Sequence, residues 1–245
     1  MRRPRATDAA RVRPGATRRR SHFLLANLLL PILARYAGEG RGAGGRGGRV
    51  VVTASEVHDP STRGGSVGSP AHLGALEGLS SREFVMVDSS DRDAAWDADK
   101  AYKDSKAMNV LFARELARRL ATQFGAGDLS CNCFGPGLIT RTEFFRHQNP
   151  LFVGAFDLVT NAIGAAESVG GGGDCLLYML ESPALAEQSG VYYSNGISGP
   201  GPGGRLQHRF AEARVSEEAG DGALGARLWS LSEELVGVRT PAVTL

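Results

Sequence analysis

The chain has 245 residues, 42% of them hydrophobic and 22% charged, with a formal net charge of +2. Those proportions suit a soluble globular protein of one or two domains with a sizeable core, and they exclude disordered, collagen-like and disulfide-scaffold classes. Positive charge is uneven: of 28 basic residues only Lys100, Lys103 and Lys106 are lysines, and residues 1–49 hold 12 Arg against Asp8 and Glu39. The remainder is mildly acidic and carries no basic face interleaved with aromatics, which argues against a nucleic-acid partner.

In chain order, the Arg-rich start with Thr17-Arg18-Arg19-Arg20-Ser21 before Phe23 loosely matches a twin-arginine, secretory or organelle-transit leader, or is a segment unrelated to the fold behind it. The apolar run Phe23–Ala34 contains Asn27 and Pro31. It falls short of the ~20 residues that span a bilayer. Residues 22–36, apolar all round, predict a buried helix bent near Pro31. Residues 37–48 read as a Gly/Arg linker. Arg49–Ala54 is a continuous β-branched run that predicts a strand buried on both faces. A Gly-, Ser-, Asp- and Pro-rich excursion over 56–98 is too long for an inert connection and points to function. From Tyr102 the apolar residues Met108, Leu111, Phe112, Leu116 and Leu120 predict an amphipathic helix ending near Gly125. Leu129–Phe134 predicts a strand halted by Gly135-Pro136-Gly137. A helical stretch near 175–182, a strand over Gly190–Ser194 and a last helix opened by Ser216-Glu217-Glu218 complete the pattern. Alternating strands and helices indicate an α/β fold with a parallel sheet.

Cys131, Cys133 and Cys175 are too few for a disulfide framework, and they suit a reducing compartment. The alternation of Cys131 and Cys133 puts both thiols on one strand face as small apolar residues, and the pair lacks the second pair a zinc site needs, so no metal is expected. Gly40-Arg41-Gly42-Ala43-Gly44-Gly45 has dinucleotide-fingerprint spacing but precedes a strand instead of leaving one, which makes it a linker. Gly170–Gly173 and the Gly199–Gly204 stretch read as loops.

The informative group is Tyr102-Lys103-Asp104-Ser105-Lys106. On a helix, i and i+4 differ by about 40° in azimuth and about 6 Å in height, so Tyr102 and Lys106 share a face. A neighbouring ammonium stabilises phenolate and makes the phenol a usable proton donor. For the pair alone, a helix-start Tyr with a solvated Lys is the commoner meaning. Ser55 ends a buried strand and Pro136-Gly137-Leu138-Ile139 follows the next, both at the edge where parallel sheets bind ligands. Ser55 also has the ordinary alternative of capping a turn.

These residues resemble the short-chain dehydrogenase/reductases, with their Ser, Tyr-x-x-x-Lys and post-strand Pro-Gly turn. More closely, they resemble the light-dependent protochlorophyllide reductases. The longer matches are Leu73-Gly74-Ala75-Leu76-Glu77-Gly78-Leu79, Ala101–Lys106 with Asn109, Phe145-Arg146 before Pro150-Leu151-Phe152, Ser216–Ala219, Leu228-Trp229, Leu231–Glu233 and Leu235–Gly237. The resemblance implies a Rossmann-like, doubly wound parallel sheet and NADPH as cofactor. It also implies hydride transfer to the ring D double bond of a protochlorophyllide-like pigment, with Tyr102 as proton donor. Lys106 would bind the nicotinamide ribose and tune Tyr102, and Ser55 would position the reactants. Pro136, Gly137, Leu138, Ile139 and Thr142 would line the nicotinamide, and the 56–98 excursion would shape the pigment pocket.

A plastid location and peripheral membrane association follow from the resemblance in the same way. Leu138 departs from the family's Cys, and Arg141 stands where a Thr is usual. A dark reductase of another carbonyl or alkene, or an inactive binding module, are the alternatives. The family's Gly-rich phosphate turn would fall upstream of His22, where this sequence is Arg-rich. Residues 1–21 are thus expected to be foreign to the fold, 22–245 to be the carboxyl-terminal two-thirds of the reductase domain, the sheet to be incomplete and NADPH affinity weak.

Overall fold

The structure, a computed structural model, describes residues 14–39, 47–80, 97–124, 128–140 and 150–238. Helix α1 spans Pro14–Glu39. Strand β1 is Gly48–Thr53, and short helices α2 (Arg63–Ser66) and α3 (Glu77–Ser80) follow in the excursion. Helix α4 (Ala98–Phe124) leads to β2 (Leu129–Gly135), and α5 (Pro150–Ile163) and α6 (Val169–Glu181) lead to β3 (Tyr192–Pro200). Strand β4 (Leu206–Glu212) and helices α7 (Glu217–Gly220) and α8 (Gly222–Val236) close the described chain.

The sheet order is β1-β2-β3-β4, with β1, β2 and β3 parallel and β4 antiparallel to β3. This is the expected α/β, Rossmann-like architecture, with helices covering both faces. On one face Val50 and Val52, Leu129, Cys131 and Cys133 meet Val110, Ala113, Leu116 and Leu120 of α4, with Phe23 and Leu30 of α1 and Trp229 of α8. On the other, Val51 and Phe134 meet Cys175 and Met179 of α6. The alternating thiols do share a face. Burial pushes the Cys133 thiol up to about 12, against the opposing charge of Arg114, and raises Cys131 well above its ordinary value.

Several elements differ from expectation. Helix α1 buries Phe23, Leu30, Ala34 and Ala37 but exposes Leu25, Leu28, Leu29 and Ile32, because it packs along one side only, and it runs through Pro31. Strand β1 is the edge strand of the described sheet, so Val50 and Val51 are half-buried instead of enclosed. The run Gly170–Gly173 lies inside α6. Ser168 caps that helix by accepting the Gly171 amide at 2.8 Å, and a Cβ on Gly172 would lie 2.5 Å from Ile139 Cδ1. Strand β3 runs on into the Gly199 loop and pairs with β4, which the parallel pattern did not anticipate. The alternation of half-buried Leu206, His208 and Phe210 is the signal it offers. The last helix is split where Asp221 caps α8 through the amides of Ala223 and Leu224.

Candidate functional site

The amphipathic pattern lays α4 across the sheet and carries Lys106 and Asn109 to the carboxyl end of β1. Lys106 Nζ donates to the Thr53 carbonyl at 3.3 Å, and Asn109 Nδ2 donates to the same oxygen at 3.0 Å. The Lys106 ammonium lies 5.4 Å from the centre of the Tyr102 ring, so the i, i+4 geometry places the pair as expected. Tyr102 and Lys106 are both half-buried.

Ser55 follows two residues after Thr53. Its hydroxyl caps the 3₁₀ turn Glu56–His58, accepting the Val57 amide at 3.5 Å, so the local capping role is realised. Beside it, the Ala54 amide donates to the Phe134 carbonyl at 2.7 Å, which holds the ends of β1 and β2 together. A Cβ on Gly135 would sit 3.3 Å from Ser55 Cα and 2.7 Å from the Tyr192 hydroxyl. The absence of a side chain at 135 is therefore what lets three strand ends meet.

The turn itself is anchored from beyond β2. Gly137 takes φ +93°, and a Cβ there would be 3.2 Å from the Asn195 carbonyl. Asn195 Nδ2 donates to the Pro136 carbonyl at 3.3 Å and to Glu167 Oε2 at 2.8 Å, and the Glu167 amide donates to the Leu138 carbonyl at 2.7 Å. Burial would raise the Glu167 carboxyl, but hydrogen bonds from the Ser168 amide and from Asn195 outweigh it and hold the group below the usual range. Pro136, Gly137, Leu138 and Ile139 are half-buried at this edge, whereas Thr142 lies outside the described residues. Lys106 is thus tied to β1, and the turn to β3 and α6. The two halves meet through Ser55 and Gly135.

Sequence reasoning did not single out Glu56, His58, Tyr192, Asn195 or Glu167. Burial raises the Glu56 carboxyl, opposed by the charge of His208, and burial raises the Tyr192 phenol. Strand position hides Tyr192 and Asn195 among ordinary core residues. Nothing local marks His58, which is 1% exposed.

The other two lysines fasten the excursion. Lys103, 2% exposed, donates to the carbonyls of Val67 and, at 3.2 Å, Ser69, and it pairs with Asp99 at 2.8 Å. Lys100 donates to the His72 carbonyl and to Asp104 Oδ2, each at 2.7 Å, while Asp104 Oδ1 accepts the His72 amide at 2.9 Å. Glu218 accepts the Leu73 amide at 3.0 Å. Leu73, Leu76 and Leu79 then bury against Met108, Leu111 and Leu228. Among the described residues no group of His, Cys, Asp or Glu is placed to hold a metal ion, and no helix is long and apolar enough to cross a membrane.

No protein-family model matches the chain. Protochlorophyllide reductase of Avena sativa is 34% identical over 224 residues, covering 89% of this chain and 64% of its own. Protochlorophyllide reductase A, chloroplastic, of Triticum aestivum is 33% identical, and the chloroplastic enzyme of Daucus carota 32%, each over 89% of this chain. The chain spans 64%, 52% and 50% of the length of these three relatives. A crystal structure of an uncharacterized protein from Mycobacterium Paratuberculosis is 22% identical over 93% of this chain and 59% of its own, with a TM-score of 0.47. The chain is a relative of the protochlorophyllide reductases, and its Rossmann-like sheet with Tyr102 and Lys106 on one helix face is consistent with membership of the short-chain dehydrogenase/reductases.

Proposed function

We propose that the chain serves NADPH-dependent reduction of a protochlorophyllide-like pigment in chlorophyll synthesis, in a plastid, with Tyr102 delivering the proton to ring D. The carrying observation is the Lys106 ammonium beside the Tyr102 ring, over the strand end where Ser55 lies. A held ammonium favours the phenolate left behind when Tyr102 gives up its proton. Ser55 would orient the reacting group by exchanging its local cap for a substrate contact.

The residues fit the nicotinamide-ribose end of the cofactor. Gly135 and Gly137 let the turn lie close against Ser55 and Asn195, and Lys106 and Tyr102 supply donors for ribose hydroxyls. When bound, NADPH would supply the hydride. Pro136, Gly137, Leu138, Ile139 and Thr142 would line the ring. Leu138, in place of the Cys the resemblance implies, favours a second reading: a reductase of another carbonyl or alkene that needs no light.

Purified protein is incubated with NADPH and protochlorophyllide, in light and in darkness, and product is read by absorbance. Light-dependent product, lost by about 10²–10⁴-fold in Y102F, supports the first reading. Reduction of a small carbonyl in darkness supports the second. A folded protein with neither activity refutes both.

A further inference from the structure

We infer that His58 is the positioning residue that fixes Ser55 at the end of β1, an inference that rests on the proposed role of Ser55. His58 Nδ1 lies 2.6 Å from the Ser55 carbonyl, and the Ser216 amide reaches Nε2 at 3.4 Å. A carbonyl only accepts and an amide N–H only donates, so the two contacts together fix the ring as neutral, with the proton on Nδ1. The ring stands edge-on to Tyr192, 4.8 Å between centres at 79°, and Tyr192 in turn places its hydroxyl against the space beside Gly135.

His58 is therefore clamped on three sides: by its own turn after β1, and by two elements distant in sequence, the β3 ring and the cap of α7. Ser216 also accepts the Ala219 amide and so opens α7, whose Glu218 holds Leu73. Through His58 the Ser55 carbonyl is referenced to this packed frame, while among the described residues its hydroxyl makes only the 3.5 Å contact with its own turn. The hydroxyl has a fixed origin and one weak local bond, the condition under which it can turn toward a substrate without the backbone moving. Burial lowers the His58 pKa, which agrees with the neutral ring.

The test uses the full chain with H58L, which removes both bonds at similar volume, and H58N, whose amide can still donate toward Ser55. Peptide-level hydrogen exchange should quicken at least tenfold over residues 55–62 in H58L, return to within threefold of wild type in H58N, and stay unchanged over α4. In the reductase assay H58L should lower kcat at least tenfold with KM within threefold, and should add nothing to S55A. Unchanged exchange over 55–62, equal acceleration in both variants, or independent, multiplicative losses in the S55A/H58L double variant would overturn the inference. If H58L does not fold, nitrogen NMR of the wild-type ring decides: a neutral ring protonated on Nδ1 upholds the clamp, and any other state overturns it. A wild-type chain without reductase activity sinks the proposed function, while the exchange and NMR results still judge the clamp.

Discussion

Replacing Lys103 with Met keeps an unbranched stem of similar length in the same buried channel and removes only the ammonium. Lys103 Nζ donates to the Val67 carbonyl and, at 3.2 Å, to that of Ser69, while the Gly65 carbonyl lies at the 3.5 Å margin. A hydrogen bond from a charged donor contributes roughly 1.5–3 kcal/mol. Two such bonds at the lower bound give about 3 kcal/mol. The Asp99 partner is 52% exposed, so water takes over its charge and the ion pair adds less than about 1 kcal/mol. For a chain of this size, where each kcal/mol shifts Tm by about 2–4 °C, K103M should lower Tm by roughly 6–12 °C. D99N should barely move it. Thermal melts followed by circular dichroism measure both, and hydrogen exchange over residues 63–72 locates the change. A K103M melt within about 1 °C of wild type, or a D99N loss as large as that of K103M, would show that the carbonyl contacts do not hold the excursion.

Three other substitutions probe the remaining links. W229A removes a ring stacked on Phe112 at 5.9 Å and edge-on to Phe23 at 4.9 Å, and should cost about 3–5 kcal/mol in denaturant titrations; a loss below about 1 kcal/mol would mean that α1, α4 and α8 do not share one core. K106M should abolish reductase turnover while leaving Tm within a few degrees, since Asn109 still donates to Thr53; full activity in K106M would remove the ammonium from the proposed chemistry. The folded state holds His58 neutral below its ordinary value of 6.5, whereas the unfolded chain takes up a proton there. Stability should therefore be complete above about pH 6.5 and fall as pH drops toward the folded-state pKa. Urea titrations at two pH values should show a smaller acid loss in H58N than in wild type, and an equal loss would count against a buried neutral ring.

The resemblance motifs show what local sequence could and could not convey. Leu73–Leu79, Ser216–Ala219 and Leu228-Trp229 are three of these matches, and in the fold they hold one another: Glu218 takes the Leu73 amide, and Leu73 and Leu76 pack on Leu228. They identify a relative by its packing and not by its chemistry. The Tyr102–Lys106 pair was legible because helical spacing alone puts the two on one face. Ser55 was legible as the end of a strand, but whether its hydroxyl faced its own turn or a ligand depended on backbone that local sequence does not fix. His58, Tyr192 and Asn195 gave no signal, since each depends on a partner far along the chain: Asn195 on Pro136, Tyr192 on His58, and His58 on Ser216.

The lysine cluster marks the same division. Sequence by itself determined the α/β alternation, the helix carrying Lys103 and Lys106 and the shared face of Tyr102 and Lys106, because these depend on periodicities of a few residues. Tertiary structure alone decided that Lys100 and Lys103 grip the carbonyls of the excursion while Lys106 grips the end of β1. It also decided that the Gly170–Gly173 run is helical and that β3 turns back to pair with β4. In each case the deciding partner is a carbonyl, a side chain or a strand brought from far along the chain, and only closure of the fold puts it within reach.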